Sequence, residues 1–344
     1  MSRLPYPQLA RDANQALMLD GYPLSQIADA FGTPTYAYSS AAITQAYHAL
    51  AAAFGDRKHQ ICYAVKANSN LAILALLARL GAGFDIVSGG ELARVLKAGG
   101  EPAKVVFSGV GKRADEIRYA LRVGVGCLNV ESAAELARIS AIAKDMNLVA
   151  PISLRVNPDV DAKTHPYIST GLKDNKFGIP IEQAPDLYRK AARDPHLSVV
   201  GIDCHIGSQL TDVSPFAAAA ERVLSLLDLL VLEGIELHHL DLGGGLGIAY
   251  TDEHSPTAAD WVSTVVGVID RHPIARRLPI MLEPGRFLVG PSGVLLSRVE
   301  YLKPHNAVGK NFAIIDAAMN DLIRPALYGS VMEIVAVAPD PAQP

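Results

Sequence analysis

Residues 198–245 read SVVGIDCHIGSQLTDVSPFAAAAERVLSLLDLLVLEGIELHHLDLGGG. An apolar run over 198–205 ends at His205-Ile206-Gly207-Ser208. A helical pattern follows over 215–233, with apolar residues three and four apart, and a second apolar run over 236–242 ends in Gly243-Gly244-Gly245. Strands that are apolar on both faces, joined by one long amphipathic helix, are what two parallel neighbours require, because the helix must cross back over the sheet and cover it. The stretch therefore predicts one strand-helix-strand unit.

Working outward, the same alternation recurs on both sides. Further strands are predicted at 60–66, 83–87, 104–107, 126–130, 151–156 and 279–283, making eight in all, and further helices at 71–80, 90–98, 131–144 and 258–271, with 41–54 ahead of the first strand. Eight such units are the size of a (β/α)8 barrel, with an open doubly wound sheet as the alternative. After Gly290 the helices stop. The runs 294–302, 312–316 and 331–337 read as consecutive strands, joined by 34–38 from the N-terminal part. The expected organisation is a TIM barrel over 41–289 and a β-rich domain made from 1–40 plus 290–344, the latter ending in a proline-rich tail.

Composition narrows the function. With 31 basic against 35 acidic side chains and a net charge of -4, no basic stripe is present to neutralise a phosphate backbone, so nucleic acid is not expected as a partner. No apolar stretch approaches the roughly 20 residues of a membrane span, and the first residues lack the apolar core of a signal peptide. Cys62, Cys127 and Cys204 lie far apart in apolar runs, which suits buried thiols in a reducing cytoplasm better than disulfides or a metal cage. No metal site is expected.

Barrel chemistry sits at the C-terminal strand ends. There the sequence places Lys66 after the first strand, Asp85 on the second, Arg155 on the fifth, His205 and Ser208 after the sixth, the glycine triplet after the seventh, and Glu283-Pro284-Gly285-Arg286 after the eighth. Desolvation would lower an amine from its usual value of about 10.4 and leave Lys66 a nucleophile able to form a Schiff base; the alternative is a lysine snorkelling at a strand end. The triple glycine lets backbone N–H groups approach an anion, and Arg286 adds a guanidinium, as for a phosphate bound between the last two loops of a barrel. A lysine and a phosphate site admit a sugar-phosphate aldolase or pyridoxal 5'-phosphate (PLP) held by Lys66. Glu283 favours the second, since a carboxylate beside a pyridine nitrogen keeps it protonated. His205 could stack on the ring or simply pack in the core.

Tyr63-Ala64-Val65-Lys66-Ala67-Asn68, Gly83-Phe84-Asp85 with Ser88-Gly89-Gly90-Glu91, His205-Ile206-Gly207-Ser208, the glycine triplet and Glu283-Pro284-Gly285-Arg286 together resemble the alanine-racemase-fold PLP decarboxylases. Within them, His165-Pro166-Tyr167-Ile168-Ser169-Thr170-Gly171 with Lys176-Phe177-Gly178, and Asn320-Asp321-Leu322-Ile323-Arg324-Pro325-Ala326-Leu327-Tyr328, are similar to the diaminopimelate decarboxylases. The resemblance implies conversion of meso-diaminopimelate to L-lysine and CO2 by a homodimer, through a Schiff base on Lys66 and a quinonoid intermediate. It assigns ring stacking to His205, phosphate contacts to Ser208, Gly243, Gly244, Gly245, Gly285 and Arg286, a place in the cofactor site to Pro284, the ring nitrogen to Glu283, and substrate contacts to Arg286, Arg324 and Tyr328. Asp85 and Arg155 would lie near the lysine and the ring. Relatives acting on ornithine, arginine or a carboxylated polyamine are the alternative activities. The family's Cys-Glu-Ser-Gly-Asp and Gly-Ala-Tyr motifs do not occur in these 344 residues. The resemblance therefore implies an incomplete β-rich domain, and a PLP-binding protein without turnover is the remaining alternative.

Overall fold

The computed structural model describes residues 6–160, 176–250, 253–304 and 309–338. The His165–Gly171 motif therefore lies outside the described residues. All eight expected parallel strands form, here labelled β1 (His59–Ala64), β2 (Gly83–Ile86), β3 (Val105–Phe107), β4 (Cys127–Val130), β5 (Ala150–Asn157), β6 (Leu197–Cys204), β7 (His239–Asp241) and β8 (Ile280–Leu282). Each pairs in parallel with its neighbours in chain order, and β8 pairs with β1, so the eight strands close on themselves; a two-residue strand, Ile179–Pro180, pairs in parallel with the end of β5. The protein is a (β/α)8 barrel with additional short strands.

Burial on both faces explains the apolar runs. The core of this unit includes Ile61, Tyr63, Phe84, Phe107, Leu154 and Ile202, each nearly or wholly inaccessible. The helix Ser214–Leu232, the crossover of the opening stretch, buries Phe216, Val223, Leu227 and Leu230 on one stripe, and each fully buried apolar side chain contributes about 1.5–3 kcal/mol. Helix starts follow local capping chemistry. Ser88 Oγ accepts from Glu91 N and Ser132 Oγ from Glu135 N, both at 3.2 Å, so the Ser88-Gly89-Gly90-Glu91 motif is in part a helix cap.

Strand ends depart from the sequence reading in one consequential place. The first strand stops at Ala64, and Val65–Ala67 form a 3-10 turn that carries Lys66 on the rim rather than within the ladder. The turn is held by Tyr63 Oη donating to the Asn68 carbonyl at 3.0 Å and by Ala64 N donating to the Pro284 carbonyl at 3.1 Å.

Two compact units are separable: 44–248 with 255–289, which holds the barrel, and 1–43 with 249–254 and 290–344. In the second unit, Leu9–Arg11, Leu17–Leu19 and Tyr22–Pro23 form an antiparallel meander, Thr35–Tyr38 pairs with Gly293–Leu296, and Val299–Lys303 pairs with Phe312–Ile315. Leu9, Leu17, Leu19, Leu24, Ala37 and Leu296 make its core. The run 331–337, expected as a strand, is not one. Val335 and Val337 pack on that core and Leu17 N donates to the Val337 carbonyl at 2.8 Å, but one such bond is not a ladder, and apolar burial alone does not make a strand.

Candidate active site

Strand register sets the level of the charged groups. On β5, β6 and β7, Arg155 pairs across from Asp203, and Asp203 from Asp241; on β1 and β2, Ala64 pairs with Asp85. Asp85, Asp203, Asp241 and Glu283 are all buried, with Arg155 among them. Lys66 Nζ lies 2.6 Å from Asp85 Oδ2. Its side chain keeps half of its exposure while Asp85 has none, so the amine stands at the open mouth on a buried carboxylate.

That pair corrects the expected amine chemistry. Desolvation pulls the Lys66 amine down, but the Asp85 and Glu283 carboxylates pull it up, and the net shift is upward. An opposite charge in contact outweighs partial burial. Lys66 rests as an ammonium.

The opposite happens at Glu283. The nearest oxygens of Asp203, Asp241 and Glu283 lie within 4.8 Å of one another, and burial together with the neighbouring acids raises Glu283 well above the usual carboxylate range. Burial also raises Asp241 to about 7, partly offset by the Gly243 N–H. Ser108 Oγ at 3.4 Å and Asn129 Nδ2 at 3.3 Å donate weakly to Glu283 Oε1. Both oxygens of Asp203 and one of Asp85 are buried without a hydrogen-bond partner. Such a group of acids has an excess affinity for positive charge.

Arg155 is held by a second buried acid. Glu131 Oε1 accepts from Arg155 Nη1 at 3.0 Å and from Gly109 N at 3.0 Å, while Oε2 accepts from Gly178 N at 2.8 Å. Glu131 thus ties two loops to the guanidinium. Beside it, the buried Lys112 ammonium donates to Glu135 at 2.7 Å and to the Asn129 and Gly109 carbonyls at 2.6 and 2.9 Å.

The other side of the rim is mostly backbone. Gly244 N donates to His205 Nδ1 at 3.1 Å; burial, with Arg155 and Lys66 nearby, lowers His205 well below its ordinary value. The ring is therefore neutral and carries its proton on Nε2. Gly243 has φ of 65°, and a Cβ on Gly244 would overlap the Glu283 carbonyl oxygen. Glu283 N donates to the Gly243 carbonyl at 2.7 Å. A Cβ on Gly285 would stand 3.1 Å from those of Ala64 and Ala67, and Arg286 Nη2 donates to Ser208 Oγ at 3.3 Å. The loops after β1, β6, β7 and β8 thereby meet.

The structure brings Lys66, Asp85, Arg155, His205, Ser208, Gly243, Gly244, Gly245, Glu283, Pro284, Gly285 and Arg286 into one barrel unit, while Arg324 and Tyr328 belong to the other unit. There the Arg324 guanidinium lies 5.1 Å from the Tyr328 ring centre and 5.7 Å from that of Tyr250, and donates to Ser330 Oγ at 3.3 Å. Sequence reasoning missed Asp203, Asp241, Glu131 and Tyr250. The signal for the two aspartates was present, since an acid near the end of each of two apolar strands is unusual for a covered sheet.

The family model for the pyridoxal-binding domain of pyridoxal-dependent decarboxylases matches residues 40–290. The chain is 58% identical over 97% of its length to the diaminopimelate decarboxylase of Pseudomonas aeruginosa, covering 79% of that protein. It is 54% identical over 94% of its length to that of Vibrio cholerae, covering 76%. Among solved structures, diaminopimelate decarboxylase from Helicobacter pylori complexed with L-lysine superposes with a TM-score of 0.88 at 43% identity, over 92% of this chain and 79% of that one. The enzyme from m. jannaschii in co-complex with L-lysine gives 0.90 at 38% identity, over 96% and 78%. No described helix is long and apolar enough to cross a membrane.

Proposed function

The chain belongs to the diaminopimelate decarboxylases of the pyridoxal-dependent decarboxylase family, and from that premise we propose that it converts meso-diaminopimelate to L-lysine and CO2 with PLP attached through Lys66. The observation that carries the reading is the juxtaposition of Lys66 on Asp85 with an acid group at Glu283 and a glycine-lined rim between β7 and β8.

The residues present fit PLP. A buried acid group with unpartnered oxygens on Asp203 calls for a cation, as a protonated pyridine nitrogen is. The glycine loop, Ser208 and Arg286 offer donors to a phosphate, and the Lys66 amine stands on a buried carboxylate. PLP, when bound, supplies an electron sink for the pair released as the Cα–carboxylate bond breaks.

The chain's own groups do the rest. Lys66 gives the attaching nitrogen, and Asp85 keeps the freed amine as an ammonium at Nζ, ready to return a proton. Neutral His205 presents a flat face without bringing a positive charge beside the ring nitrogen. Glu283 holds the proton or the negative charge that the nitrogen requires. Arg286, Arg324 and Tyr328 are the proposed substrate contacts, a guanidinium being the natural clamp for the carboxylate that stays. Residues 41–289 are proposed as the PLP-binding domain and 1–40 plus 290–344 as the β-rich one. A homodimer is proposed with them, supported by exposed apolar side chains such as Tyr301 and Leu302. A cytoplasmic location is supported by three free, buried cysteines.

The test is CO2 release by the purified chain with PLP from meso-diaminopimelate, ornithine, arginine and a carboxylated polyamine. Release from meso-diaminopimelate well above the others is expected. Release from none of them, or preference for another substrate, would overturn the substrate assignment. If borohydride still attached PLP covalently to Lys66→Ala, the Lys66 assignment would be wrong.

A further inference from the structure

Among the buried acids, Asp241 is joined to both ends of the site. It is wholly buried at the end of β7, and its Oδ1 accepts from Gly243 N at 2.9 Å. Its nearest carboxyl oxygen also lies within 4.8 Å of those of Glu283 and Asp203, and its Oδ2 is buried without a hydrogen-bond partner. The loop closes on itself, because the Gly243 carbonyl accepts from Glu283 N at 2.7 Å. Only glycine suits this position: its φ is 65°, and a Cβ there would stand 2.6 Å from His205 Nδ1.

We infer that Asp241 is a positioning residue that holds Glu283 in register with the glycine loop, so that one carboxyl sets both the acid facing the cofactor's ring nitrogen and the backbone facing its phosphate. This rests on the PLP reading of the same site.

Two buried carboxyls this close cannot both ionise freely, so their titrations are coupled. The Gly243 N–H favours the charged form of Asp241, so Glu283 is the carboxyl that keeps its proton to higher pH. The groups facing the pair are Asp203 on β6, Asp85 on β2, Arg155 on β5, Cys62 on β1 and Cys127 on β4, with Lys66 beyond. Among them only Arg155 and Lys66 are positive, and each already has a carboxylate in contact. A cation bound at Glu283 favours the deprotonated pair, and because Asp241 takes up a second proton below about 7 while Glu283 holds its own to higher pH, binding is linked to pH around that value. Below it, binding must expel that proton and weakens.

The test is titration of the unsubstituted protein, Asp241→Asn and Asp241→Ala with PLP, reading Kd from cofactor fluorescence on both sides of neutrality. Asp241→Asn keeps an oxygen for Gly243 N–H. It should bind at alkaline pH within about threefold of the unsubstituted protein, yet lose the weakening toward acid pH. Asp241→Ala frees the Gly243 N–H and should bind about tenfold or more weakly throughout. An unchanged pH profile in Asp241→Asn overturns the inference, as does an alanine variant that folds and binds within twofold. If the alanine variant does not fold, the asparagine profile decides. A failure of the unsubstituted protein to bind PLP would instead remove the cofactor reading, and this inference with it.

Discussion

The two ends of the barrel site are built from different material. At the glycine end, Gly243 and Gly244 bring main chain close to main chain and Gly285 lets it approach the Ala64 and Ala67 methyls, helped by Ser208 and Arg286. At the acid end, Asp85, Asp203, Asp241 and Glu283 crowd side chains into a space that water barely enters. A backbone cradle has a charge that pH does not alter, and it fails only when its shape fails. A cluster of buried acids keeps its shape but changes its charge with every proton, since like charges in a dry site cannot all ionise.

The contrast is sharpest in two substitutions. Glu283→Gln removes the ionisable carboxyl and keeps the shape. Turnover should fall about 100- to 1000-fold, while PLP affinity falls much less and thermal stability holds; an equal loss of affinity and turnover would mean that the acid end also acts by shape. Gly244→Ala does the reverse. Its Cβ has no space before the Glu283 carbonyl, so the loops after β7 and β8 must part. A loss of about 2–4 kcal/mol in unfolding free energy is expected, with weakened PLP binding at every pH. A stable variant with normal affinity would show that the cradle yields.

A smaller effect is expected from pH alone. Asp241 and Glu283 are raised above their unfolded values. The folded protein without PLP therefore holds more protons than the unfolded chain, and its stability should decline as pH rises from the ordinary carboxylate range toward the Asp241 value of about 7. Asp241→Asn should flatten this decline in denaturant titrations, and a slope unchanged by that substitution would place the protons elsewhere. The least change should come from Ser208→Ala, which deletes one 3.3 Å bond to Arg286. About 1 kcal/mol of PLP affinity, near fivefold, is expected, with no change in pH profile.

The glycine end was legible because its signals are local. Three glycines after a predicted strand, or Gly285-Arg286 after the last, announce a close backbone approach by residue type and place. Lys66 and Glu283 were found in the same way, at strand ends. The acid end was half legible. Asp203 and Asp241 look like isolated polar residues in apolar runs, and only the pairing of β5, β6 and β7 puts them level with each other and with Arg155. Glu131 was invisible for the same reason, since its partners Gly109, Arg155 and Gly178 come from three separate loops and strands. The run 331–337 erred in the other direction, because its apolar pattern reports that Val335 and Val337 are packed without saying that a ladder exists.

By itself, then, the sequence determined the eight barrel strands, most of the helices between them, and the residue types at each strand end. Periodicity and turn chemistry act over a few residues and need no knowledge of distant neighbours. Only the tertiary structure decided the charge states. Lys66 looked like an amine lowered by burial and is raised by Asp85; Glu283 looked like a plain carboxylate and is crowded into holding a proton. Those outcomes depend on distances between groups remote in the chain, in a medium where a few ångströms decide which form survives.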